Sequence, residues 1–140
     1  MRIFIEVKPY TAMRYPTLGD WYQDGHGAKV DVADTGDWRM NMLIAMHELI
    51  ESALCEHRGI PESVVLQWDM DHPESEDPGS VAGAPYRAEH LMAESIERIL
   101  AEVVYRAAIG AECAPIYREE AADCVVRDKQ IAARLAVPLG

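Results

Sequence analysis

Two histidines and a set of glutamates at helical spacing are the residues of this chain with chemistry to offer. The first group lies in Leu43-Ile44-Ala45-Met46-His47-Glu48-Leu49-Ile50-Glu51-Ser52-Ala53-Leu54. At about 100° per residue, His47 and Glu51 share a face with Met40, Leu43, Ile44 and Leu54, with Ile50 at its edge. That face should point at a core. A buried carboxylate costs several kcal/mol unless it is paired, protonated or bound to a metal. Residues at i and i+4 sit about 5–6 Å apart at Cβ, so both can reach one ion. Glu48 stands at the edge of the same face, near enough to touch a ligand of that ion.

The second group follows Pro85-Tyr86-Arg87-Ala88-Glu89-His90-Leu91-Met92. The wheel puts His90, Glu94, Glu97 and Ala101 on one face, well round from the main apolar stripe of Met92, Ile96, Leu100 and Val103. His90 is therefore either solvated or, if its helix is covered on more than one side, able to meet His47 and Glu51 with Glu94 behind it.

His47-Glu48-Leu49-Ile50-Glu51 resembles the HExxH helix of zincin metallohydrolases, in which two histidines bind zinc and the glutamate between them is the general base. The strand over Lys29 to Ala33 likewise resembles the edge strand lining the zincin cleft. The resemblance implies that His47 is a zinc ligand and Glu48 the base. It departs at the second histidine, where this sequence has Glu51. His57 falls where the longer metzincin pattern has its third histidine, but Leu54 replaces the glycine that turns that chain. His47, Glu51 and His90 retain the two-histidine, one-carboxylate composition of catalytic zinc sites in another order. The chain as a whole is similar to small phage-encoded proteins with a central histidine-glutamate helix, which implies no activity.

Other chemistries compete. Glu48-x-x-Glu51 and Glu94-x-x-Glu97 resemble the carboxylate pairs with which helical nucleoside-triphosphate pyrophosphohydrolases hold Mg or Mn. The β-rich start and His47 in mid-stripe argue against that all-helical architecture. HD-type phosphohydrolases need an earlier histidine and aspartates; only His26, in a glycine turn, precedes His47. The bland reading makes His47 a buried histidine bonded to Glu51. His57 and His26 read as solvated. His72 reads as a surface residue or a weak ligand with Asp69 and Asp71. Trp21, Trp38 and Trp68 read as core-edge aromatics, with Trp38 stapling the first helix to the sheet. Tyr86, one turn before His90, reads as structural or as orienting a substrate, and Cys55 as packed.

The elements that must position these residues follow from periodicity. Ile3, Ile5 and Val7 alternate with Phe4, Glu6 and Lys8 as in a strand. Thr17 to Gln23 is a second, Asp24-Gly25-His26-Gly27 a reversal, and Lys29 to Ala33 a third. Asp37 caps a helix over 37–59 that Gly59 ends. Pro61 opens a short helix through Trp68, 69–84 is an acidic loop, and helices run over 85–109 and 115–135. The expected fold is α+β in a single domain over 1–140: a small antiparallel sheet in a β-rich 1–35, then three main helices.

The chain has 140 residues, 49% of them hydrophobic and 26% charged, with a net charge of −11. That length suits one domain with one core. The negative charge disfavours nucleic-acid backbones and anionic membranes and permits a basic protein partner or a bound cation. Three cysteines with no CxxC pair disfavour a disulfide framework or a cysteine zinc site. The apolar run Met42 to Met46 is too short to span a bilayer, and MRIFIEVKPY carries Glu6 and Lys8 without a small-residue cleavage site. A soluble cytoplasmic protein is expected. Two functions stand open: a metal-dependent hydrolase of a small-molecule or peptide substrate, and an acidic interaction protein whose His/Glu cluster is structural.

Overall fold

A computed structural model describes residues 2–109. Its elements are β1 (Ile3–Lys8), β2 (Gly19–Gln23), β3 (Ala28–Ala33), α1 (Trp38–Arg58), α2 (Glu62–Asp71) and α3 (Arg87–Ile109), with short 3-10 turns at Tyr10–Ala12 and Pro78–Ser80. The architecture is α+β, a three-stranded sheet followed by three helices. The expected helix over 115–135, with Cys113 and Cys124, lies outside the described residues.

The sheet is mixed rather than wholly antiparallel. Its order is β1-β3-β2; β2 runs antiparallel to β3, as the tight reversal at 24–27 requires, while β1 runs parallel to β3. The chain between β1 and β2 is long enough to carry β2 past the position beside β1, which leaves β3 in the centre. β3 is the best-buried strand, with Val30, Asp31, Val32 and Ala33 all fully enclosed. Asp31 is tolerated there because Lys8 Nζ lies 2.7 Å away and the Tyr22 hydroxyl donates to it at 3.0 Å.

β1 departs from the half-buried strand that its alternation suggests. Ile3, Phe4, Ile5 and Val7 are 45, 42, 48 and 47% exposed, on both faces of the strand. β1 is an edge strand, and α1 packs on β2 and β3 instead.

Local signals set the helix limits. The Asp37 carboxylate accepts from the Arg39 N–H at 3.0 Å, and Gly59 closes α1 in the left-handed conformation (φ 68°) with its N–H on the Cys55 and Glu56 carbonyls. Trp38 is 68% exposed and does not staple α1 to the sheet; it points away from the face that carries Met40, Leu43 and Ile44 into the core. α2 continues past Trp68 to Asp71, so the acidic segment begins as helix. α1 and α3 pack along each other, and the Pro78–Ser80 turn packs on α3. α3 is thereby covered on two sides, the condition under which His90 turns inward.

Candidate metal centre

His47 and Glu51 come from α1 and His90 from α3, and one ligand atom of each converges. His47 Nε2 lies 3.2 Å from His90 Nδ1 and 3.5 Å from Glu51 Oε2, and His90 Nδ1 lies 2.8 Å from the same Oε2. The three residues are close enough to hold a metal ion. A tetrahedral zinc with ligands at 2.0–2.1 Å separates them by about 3.3 Å, a spacing these distances bracket.

The outer atom of each side chain is tied down. His47 Nδ1 donates to Glu97 Oε2 at 2.8 Å, and His90 Nε2 donates to Asp77 Oδ1 at 2.9 Å. Trp21 Nε1 donates to Glu51 Oε1 at 2.9 Å. These partners fix the tautomers, so in the neutral histidines both inner nitrogens carry lone pairs that face the Glu51 carboxylate. Three acceptors this close repel one another unless positive charge, a proton or a metal ion, sits among them.

The electrostatics agree. Burial alone would lower the His47 pKa, but hydrogen bonds to Glu51 and Glu97 outweigh it and raise the value well above the ordinary one. His90 behaves alike: burial opposes its charge, Asp77 and Glu51 favour it, and the value rises to about 9. Glu51 is raised by burial and lowered more strongly by the two histidines, ending at about 2. The surrounding carboxylates thus favour the protonated form of both histidines.

Gly79 completes the enclosure. A Cβ there would come within 2.4 Å of the His90 ring, so the 78–80 turn reaches this close only as glycine. Behind α1, Glu48 lies against Gly19 of β2, where a Cβ would fall 2.3 Å from its Oε1. Among the described residues Glu48 has no hydrogen-bond partner. Burial, reinforced by the charge of Glu51, pushes its pKa well up.

His47, Glu48, Glu51 and His90 all line one cavity of about 550 Å³, walled by β2, α2 and the 72–79 segment. On its α2 wall the Asp69 carboxylate accepts from the Tyr15 hydroxyl at 3.0 Å and from the Tyr86 hydroxyl. Burial drives Asp69 up to about 6 despite those two bonds, and it raises both phenols.

Of the residues picked out by spacing, His47, Glu51 and His90 meet. Glu94 does not stand behind them: it pairs with Arg98 at 2.7 Å, and Glu97, two turns from His90 on the same face, takes that place. The carboxylate pairs do not form a joint cage, because Glu51 and Glu97 are spent on histidines. His57 and His26 are exposed. His72 Nδ1 donates to the Trp68 carbonyl at 2.8 Å and Asp71 accepts from Gln67, and among the described residues neither gathers with Asp69 into a group close enough to share an ion. Sequence reasoning overlooked Asp77, read as loop, and Trp21, read as core edge. Only helical periodicity marked Glu97; nothing local marks the other two.

No protein-family model, curated protein or solved structure matches the chain.

Proposed function

We propose that the chain is a zinc-dependent hydrolase, zincin-like in its use of a helix-borne His-Glu pair but with Glu51 and His90 completing the ligands. The observation that supports this is the convergence of three lone-pair atoms whose outer partners are already committed. Two imidazoles and one carboxylate favour zinc over Mg or Mn, which prefer all-oxygen shells. Zinc bound there would supply a Lewis acid and bring the pKa of a water toward neutrality. Glu97, Asp77 and Trp21 hold the ligands in one orientation. Glu48 accepts the proton: its carboxylate lines the same cavity as the three ligands, has no hydrogen-bond partner among the described residues, and is made more basic by burial and by the charge of Glu51.

Elemental analysis of protein purified without tag or chelator tests the site. Close to one zinc per chain, lost in His47→Ala, is expected. Wild-type protein that takes up no metal on titration would leave the cluster as a buried polar network in an acidic interaction protein. Glu48→Gln should keep its zinc and lose about 10²–10⁴-fold in turnover of an amide or ester. Metal lost together with turnover would refute the base assignment.

A further inference from the structure

The cavity around the candidate metal centre has a chemical bias of its own. Among the described residues that line it there is no lysine and no arginine. Two of its carboxylates, Asp20 and Glu62, share one counter-charge, Arg14, at 2.6 and 2.9 Å. Glu51, Glu97 and Asp77 serve the histidines. Asp69, Glu74 and Glu76 line the cavity and form no ion pair among the described residues. Asp69 is the innermost of these, partly buried and held in place by the two phenols of Tyr15 and Tyr86. Neutral hydroxyls orient that carboxylate without cancelling its charge. One oxygen of Glu97, a residue only 3% exposed that also lines the cavity, is buried without a hydrogen-bond partner among the described residues.

We infer that the substrate is cationic, an amide or ester bearing a protonated amine such as a lysine side chain, with Asp69 as its counter-charge and Glu74 and Glu76 at the rim. The inference rests on the hydrolase reading and narrows it. On the Asp69 side of the cavity an anionic phosphoester would meet Asp69, Glu74 and Glu76 with no lysine or arginine among the described lining residues, and the two histidines are already held by Glu51, Glu97 and Asp77. An ammonium finds both a desolvated carboxylate and aromatic rings: Tyr10, Tyr15, Trp21 and Tyr86 line the same space, and aromatic faces attract cations. Acidic side chains at the rim also raise the local concentration of a cationic ligand before it binds.

Calorimetric titration of the full chain, with and without zinc, tests this with three matched probes: the Nα-acetyl methylamides of lysine, norleucine and glutamate. The lysine compound is expected to bind about tenfold or more tighter than the norleucine compound, and the glutamate compound not at all. Raising salt from 0.05 to 0.5 M should shrink the lysine preference. Asp69→Asn, which still accepts a phenol hydrogen bond, should cut it below about threefold while norleucine binding stays. Glu76→Gln should lower it less. Equal binding of lysine and norleucine, tighter binding of glutamate, a preference unmoved by Asp69→Asn, or no binding of any probe overturns the inference. Should Asp69→Asn not fold, the salt series and Glu76→Gln decide. A lysine preference in protein that takes up no zinc would sustain the cationic pocket and sink the hydrolase, so the two failures are distinguishable.

Discussion

Two regions of this molecule reverse the usual placement of side chains. Between α1 and α3, charged and ionisable groups lie inside: Glu51 and Glu97 are 4 and 3% exposed. Along β1, four large apolar side chains lie outside. The inner region is consistent with what burial costs, because nearly every polar atom of the cluster has a partner within hydrogen-bond distance. Such a network is weak evidence for stability, since a well-packed apolar replacement of equal volume is often as stable. The outer region needs no explanation residue by residue, because exposed apolar atoms make up much of any protein surface. The difference teaches that residue type set neither outcome; what packs on each face did.

Substitutions and pH can break or sharpen that contrast. The largest effect on stability is expected where α1 is purely apolar. Leu43 is fully buried, and Leu43→Ala should cost about 2–5 kcal/mol in chemical denaturation. Next comes the charged interior. Glu97→Gln keeps the shape but weakens the hold on His47, and zinc affinity in a competition titration should fall about 10–100-fold; an unchanged affinity would make Glu97 merely structural. The pH dependence follows from the signs above. His90 ionises at about 9, above its ordinary 6.5, so below pH 9 its proton must leave before zinc binds. Affinity should therefore rise about tenfold per pH unit up to pH 9 for each proton displaced, with proton release measurable by pH-stat. In the metal-free protein the same shift stabilises the fold fully below pH 6.5, and that contribution is lost as pH rises through 9. The smallest effect belongs to β1. Ile5→Thr, at an exposed edge position with high strand propensity retained, should change stability by less than about 0.5 kcal/mol. A cost near that of Leu43→Ala would show β1 to be covered in solution.

Much of the fold was legible locally. The strands, the α1 cap at Asp37 and its stop at Gly59 follow from period-two alternation and from cap chemistry, both properties of neighbouring residues. His47 and Glu51 were legible as a pair for the same reason: four residues on a helix is a fixed distance, and an apolar stripe around them says which way they face. The parallel pairing of β1 was not, because alternation says that a segment is a strand and nothing of which partner it takes. His90 was legible only conditionally, since its own helix carries its stripe elsewhere and only the packing of α1 and of the 78–80 turn on α3 brings the histidine inside.

The amino-acid sequence by itself determined the α+β order, the ligand types and the acidic character of the chain. Tertiary structure alone decided that Glu97 rather than Glu94 backs His47, that Asp77 holds His90, that Trp21 holds Glu51, and that Asp69 meets two phenols and, among the described residues, no cationic side chain. Those contacts join residues 13 to 54 positions apart, and hydrogen bonds of that kind depend on how helices and strands pack in space, which spacing within one element does not encode.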